Sequence, residues 1–179
     1  MKKLLAVLFF LVVNVLNLSA VDAAQMIRIS DVNLGQYLST VRAAANSNEV
    51  RSLLQLEFSD PTRLEQNDRE SMQLKCWTST ISADSKKVGA VFFSVDNQNL
   101  VSALEIFIAD QEDETRNVNL FNAAMLSIFA PLQLSESEFN AVIEEIFSET
   151  DPVWCEKTQR YIVAETTEED ILTVIAMVE

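Results

Sequence analysis

Between Met72 and Ala109 apolar side chains recur at every second position, whereas between Val118 and Phe147 they recur every third or fourth. A strand sends successive side chains to opposite faces, and a helix returns to the same face after about 3.6 residues, so no segment can serve both periods. The change of period therefore divides the chain into a block of strands, a block of helices and, beyond Asp151-Pro152, a second block of strands. Segregated blocks point to the α+β class with an antiparallel sheet.

In the first block, strands are expected over 72–81, 87–95 and 100–109, with Asp96-Asn97-Gln98-Asn99 as a polar hairpin loop. Met72, Leu74 and Cys76 share one face of the first strand, which directs Cys76 to the core and Trp77 to the opposite face beside Gln73, Lys75 and Ser79. In the helical block, Val118, Phe121, Met125, Ile128 and Phe129 form one stripe, stopped by Pro131. Ser135 and Glu138 then make a capping box ahead of a second stripe, Phe139, Val142, Ile143, Ile146 and Phe147. The polar face of that helix carries Glu138, Glu144 and Glu145, which read as solvated.

Upstream, Ser30 or Asp31 can cap a helix that reaches Ala45 with Val32, Tyr37, Leu38 and Val41 on one face, while residues 50–58 fit helix or strand equally. Two further strands, 160–166 and 171–178, flank the acidic turn Thr167 to Asp170. The expected architecture is a single α+β domain over residues 24–179: an antiparallel sheet of about five strands with helices packed on one face.

The first residues carry a different message. Lys2 and Lys3 precede an apolar run from Leu4 to Leu18, broken by Asn14 and Asn17, and Val21-Asp22-Ala23 then places small residues where a signal peptidase reads them. Residues 1–23 are thus read as a signal peptide cleaved after Ala23, since the run falls short of the ~18 apolar residues that span a bilayer. A secreted or periplasmic location follows, with no stable membrane insertion after signal cleavage. In an oxidising compartment the two cysteines, Cys76 and Cys155, are expected to form one disulfide, each half shielded by its neighbour Trp77 or Trp154.

The run NAAMLSIFAPLQLSESEFNAVIEEIF, followed by RYIVAET and a terminal strand, resembles small secreted bacterial proteins of uncharacterised function. The resemblance covers about a third of the chain. It implies a bacterial exported domain and carries no catalytic motif.

Missing residue types narrow the chemistry further. There is no histidine, which removes Ser-His-Asp and Cys-His nucleophiles and imidazole acid-base catalysis. The two glycines, Gly35 and Gly89, cannot build a Walker or dinucleotide loop, and a net charge of −14 opposes nucleic acid. No catalytic residue, metal ligand or cofactor is assigned. Asp110, Glu112, Asp113 and Glu114, like Glu165, Glu168, Glu169 and Asp170, read as solvated turns rather than calcium loops. Glu105, within LVSALEIFI on the face of Val101, Ala103 and Phe107, is the acid closest to a buried position. Trp77 is the candidate binding residue.

The reading that results is an exported, non-enzymatic binding domain whose partner is an extracytoplasmic protein or envelope component. The alternative is a carboxylate-dependent hydrolase acting on envelope glycans, which needs two carboxyls and no histidine. Mass spectrometry of the exported protein should find a chain beginning at Ala24; a product that still carries Lys2 and Lys3 would refute signal cleavage.

Overall fold

The computed structural model describes residues 26–68, 73–109, 113–148, 152–166 and 171–177. It is an α+β fold built on one antiparallel sheet. The strands are β1 (Met26–Ile27), β2 (Leu56–Phe58), β3 (Thr62–Arg63), β4 (Lys75–Ala83), β5 (Lys86–Val95), β6 (Val101–Ile108), β7 (Val153–Cys155), β8 (Arg160–Thr166) and β9 (Ile171–Met177). Their order across the sheet is β2-β4-β5-β6-β9-β8-β7, with β1 paired to β9 and β3 to β4. Helices α1 (Leu34–Ala45), α2 (Asn48–Leu53), α3 (Glu114–Phe129) and α4 (Glu136–Ser148) bury their apolar sides against one face of it. Among the described residues no helix is long and apolar enough to cross a membrane.

The meander β4-β5-β6 lies where the two-residue period puts it. Its first turn is tight: Asp84 and Ser85 have φ of 50° and 62°, the left-handed pair of a type I′ hairpin. In the second, the Asp96 carboxylate accepts the backbone N–H groups of Gln98 and Leu100 at 2.8 and 3.0 Å and pairs with Arg28 at 2.6 Å. Gly89 is required by close approach, since a Cβ there would lie 2.4 Å from the Phe107 carbonyl oxygen on β6. It pairs with Ile81 beside a bulge in β4-β5, where the strands crowd.

The helices depart from expectation at their ends. Asn33, not Ser30 or Asp31, caps α1, its side chain accepting the Gln36 N–H at 3.0 Å. The ambiguous segment 50–58 resolves into both forms, with α2 capped by Ser47 and followed by β2. The Ser135–Glu138 capping box is present: Ser135 N–H donates to Glu138 at 2.6 Å and Glu138 N–H to the Ser135 hydroxyl at 3.3 Å. Among the described residues the sheet has nine strands instead of about five. The additional ones, β1, β2, β3 and β7, span two or three residues each, too few to establish a period.

Face assignments in the meander also change. Trp77 shares a face with Ser79 and Ile81, and Ile81 lies in the main core, so Trp77 packs on the helix side of the sheet. Cys76 is on the other face, buried by Asn67 and Asp68: its thiol donates to the Asn67 carbonyl at 2.8 Å and its N–H to the Asp68 carboxylate at 3.1 Å. Apolarity alone placed it in the main core, whereas a short turn over the sheet conceals it. Val101 likewise leaves the face of Glu105, because a bulge sets Val95 opposite Val101 and Ser94 opposite Ala103.

The expected Cys76–Cys155 bridge is not formed. Cys76 is in β4 and Cys155 in β7, with β5, β6, β9 and β8 between them. At ~4.8 Å per strand that is roughly 24 Å, against the ~7 Å that a disulfide tolerates between Cα atoms. Denatured in the absence of reductant, the protein should therefore take up maleimide at both cysteines. Labelling of neither would contradict this strand order.

Candidate functional site

β7 covers only the first part of the outer edge of β8, whose other edge pairs with β9 throughout. β7 pairs with Arg160, Tyr161 and Ile162, and among the described residues no strand pairs with the same edge of β8 at 163–166. Backbone groups in a strand alternate between its two neighbours. The Ala164 N–H, facing away from β9, instead meets the Glu145 carboxylate of α4. An open cleft of about 540 Å³ results, lined by Glu145, Ile146, Phe147, Pro152 and residues 163–166.

Glu145 was expected in solvent and is buried, at 4% exposure, while Phe147 was expected in the core and is 71% exposed. One rotation accounts for both. Each helical residue advances about 100°, and α4 turns Val142, Glu145 and Ile146 to the sheet while Phe139 and Ile143 are half-buried at its edge. Phe147 then points outward, tilted against Phe121 of α3 with ring centroids 5.6 Å apart. Val118, one turn before Phe121, is 55% exposed, so an apolar patch runs from α3 to the rim of the cleft.

Burial is the main cause that lifts the Glu145 carboxyl to about 7; the Ala164 N–H opposes it and the nearby Glu165 carboxylate adds to it. One Glu145 oxygen, Oε2, is buried without a hydrogen-bond partner. Cys155 lies close by, and burial, reinforced by Glu138 and Glu145, pushes its thiol to about 12, which leaves it unreactive near neutrality. Glu138 moves the other way, held below the usual carboxylate range by the N–H and hydroxyl of Ser135 and by the Glu156 N–H at 2.7 Å. It joins the start of α4 to the segment between β7 and β8.

The residues singled out in the sequence fall in different places. Glu105, 8% exposed on β6, sits opposite Phe92 of β5 and Thr173 of β9, on the face away from the helices. Thr173 in turn pairs with Glu165, so Glu105, Thr173 and Glu165 form one row across three strands. Trp77 is remote from the cleft, near the opposite edge of the sheet. It is half-buried, its indole Nε1 has no acceptor, and the Arg63 guanidinium stands 5.6 Å from its ring centroid. Arg63 is ion-paired with Asp68, whose carboxyl that contact holds below its usual range.

Asp113 serves as the cap of α3, accepting the Arg116 N–H at 2.9 Å. Asp110, Glu112, Glu168, Glu169 and Asp170 lie outside the described residues, as do residues 1–23, read above as a signal peptide, and Met72. Among the described residues no group of three or more acidic or cysteine side chains is arranged to hold a metal ion. Compared with protein-family models, curated proteins and solved structures, the chain matches none.

The Glu145 environment has a measurable consequence. Its folded pKa lies above the unfolded value of about 4.3, so its contribution to stability is complete below that value and is lost as pH rises through about 7. The loss is on the order of 3 kcal/mol, whereas the depressed Glu138 group acts only on the acid side of the ordinary carboxylate range. Urea unfolding at pH 5 and pH 8 should show this decline in the native protein, and Glu145→Gln should abolish it. A decline that survives the substitution would place its origin elsewhere.

Proposed function

We propose that this chain is an exported, non-enzymatic binding domain that uses the cleft between α4 and β8 to hold an extracytoplasmic protein or envelope component. The observation that carries the proposal is the apolar patch of exposed Val118 and Phe147, joined by half-buried Phe121, beside a cleft containing Glu145 and Glu165. A folded chain gains by covering an aromatic side chain, and one left 71% exposed at the rim of a cleft has the form of an interface anchor. The acidic lining favours a partner with a basic surface. The net charge of −14 extends that preference over the whole molecule and argues against nucleic acid and anionic lipid.

Export is part of this proposal and rests on the sequence of residues 1–23 and on the resemblance to small secreted bacterial proteins. A second reading, a carboxylate-dependent hydrolase of envelope glycans, draws support from two features. Glu145, with a carboxyl lifted to about 7, could donate a proton at neutral pH, and Glu105 and Glu165 flank Thr173 on one sheet face about two strand spacings apart. Against it, the described lining of the cleft offers carboxyls, one threonine hydroxyl and apolar groups without an electrophilic or cationic side chain.

Affinity capture from the native envelope fraction separates the two. The exported chain should retain a partner, and Phe147→Ala should release it without unfolding the domain, since a side chain so exposed leaves no cavity. Reducing-end release from envelope glycans should stay at background. Turnover that disappears in Glu105→Gln or Glu145→Gln with the fold intact would overturn the binding reading.

A further inference from the structure

We propose that the outer groove between α3 and α4 is the docking site for a basic amphipathic helix of a partner protein, which sets an apolar anchor in the hollow over the α3–α4 turn and directs lysine or arginine side chains to Glu49 and Glu136 at its rim. This deepens the binding-domain reading and rests on it.

The helix pair supplies the first reason. Phe121 of α3 meets Phe147 of α4 with ring centroids 5.6 Å apart, and Phe129 meets Phe139 at 6.1 Å. The two contacts are equally spaced on both helices and run in opposite order, so α3 and α4 lie antiparallel and side by side over about 12 Å. Two such helices leave a straight groove along their outer side, the seat that a third helix takes in a bundle. The fold does not use up the apolar groups there. Leu126 and Ile143 are half-buried, and Val118 and Phe147 at one end are 55% and 71% exposed.

At the other end a hollow of about 430 Å³ opens over the turn between the helices, walled by Leu126, Phe129, Leu134 and Phe139. The segments that wall it, 26–68 and 113–148, are described without a break. It has room for an anchor of leucine or phenylalanine size. From there to Phe147 is about two turns of a docked helix, which calls for apolar side chains at i, i+4 and i+7.

Charge supplies the second reason and fixes the sign of the partner. Glu49 of α2 and Glu136 of α4 stand exposed at the rim of the hollow, and no described lysine or arginine lines it. Ion pairs among the described residues lie elsewhere. The hollow also adjoins the C-terminal end of α3, where backbone carbonyls carry partial negative charge and where the last turn holds no basic side chain. Glu138 already completes the cap of α4 with Ser135, which leaves Glu136 to the rim. A second copy of this chain is a poorer occupant, because it would bring like-charged rims and two net charges of −14 together.

The test uses the native chain and blocked, helix-forming peptides of alanine with leucine at i, i+4 and i+7 and lysine on the flanks. A second peptide carries glutamine for lysine, and a third keeps the composition but spreads the leucines around the helix. Titration calorimetry at low salt should give binding of the lysine peptide about fivefold tighter than the glutamine peptide and none of the shuffled one. Glu49→Gln combined with Glu136→Gln should weaken the lysine peptide about fivefold and leave the glutamine peptide unchanged. Asn140 is exposed in the lining of the hollow, so Asn140→Arg should abolish binding of the lysine peptide with the melting temperature nearly unchanged.

Equal binding of the lysine and glutamine peptides, or full binding by Asn140→Arg, would overturn the proposal. So would equal binding of the shuffled peptide, which would reduce the effect to general charge attraction. Octylammonium bound as tightly as the lysine peptide would make the hollow a site for small amphipathic cations and refute it. A dimer of the native chain that Asn140→Arg dissociates would assign the groove to self-association and refute it as well. If no peptide binds while Phe147-dependent capture persists, the helix-docking mode fails and the binding-domain reading stands. Glycan turnover would refute both.

Discussion

Tyr37 is where the two layers of this protein meet. Its ring is fully buried and packs edge-on against Phe93 of β5 at 5.8 Å, and its hydroxyl donates to the Ile128 carbonyl of α3 at 2.9 Å. Ile128 lies in the last turn of α3, where carbonyls have no helical partner, so a side chain from α1 satisfies a group that would otherwise be buried and unpaired. Burial holds the phenol well above its ordinary pKa, so it remains a donor. The contact fixes α1 against α3 and places both over the centre of the meander. With this face occupied, α4 is left to cover the remaining strands, β7 and β8.

That division of the sheet explains why the cleft forms at β8. The core on the helix side is continuous from Leu56 in β2 to Ile162 and Ala164 in β8, and α4 caps its far end. β7 is only three residues long, so it ends before β8 does. The end of α4 then overlies an edge that lacks a described neighbour, and Glu145 reaches the Ala164 N–H from above. A carboxylate can satisfy a backbone donor, but a buried one with an unpartnered oxygen does so at an electrostatic cost, which appears as the elevated pKa. Local strain of this kind in a cleft is more informative about function than the acidity of the surface as a whole.

The fold was legible wherever a period extended over enough residues. β4, β5, β6, α3, α4, β8 and β9 all follow from spacings of two or three to four, and the capping box of Ser135 and Glu138 marked the start of α4. β2, β3 and β7 were not legible because they exist only by pairing with a longer neighbour. Nor could the sequence reveal strand order. Placing β9 between β6 and β8 separates Cys76 from Cys155, although two cysteines in a chain read as exported suggest a pair on composition alone.

The candidate site was hidden for a different reason. A helical stripe gives the mean direction of burial and not the rotation that packing finally selects. Phe139, Val142, Ile143, Ile146 and Phe147 span a wide arc, and α4 buries the side of that arc nearer Glu145. A single rotation therefore moves an acid inward and an aromatic outward. In the sequence, the excess width of the stripe was the available signal: a helix with more apolar surface than one face of a sheet can cover has to leave part of it for something else. Here the uncovered part adjoins the edge of β8 that has no paired strand among the described residues, so the apolar excess of α4 and that edge converge on one cleft.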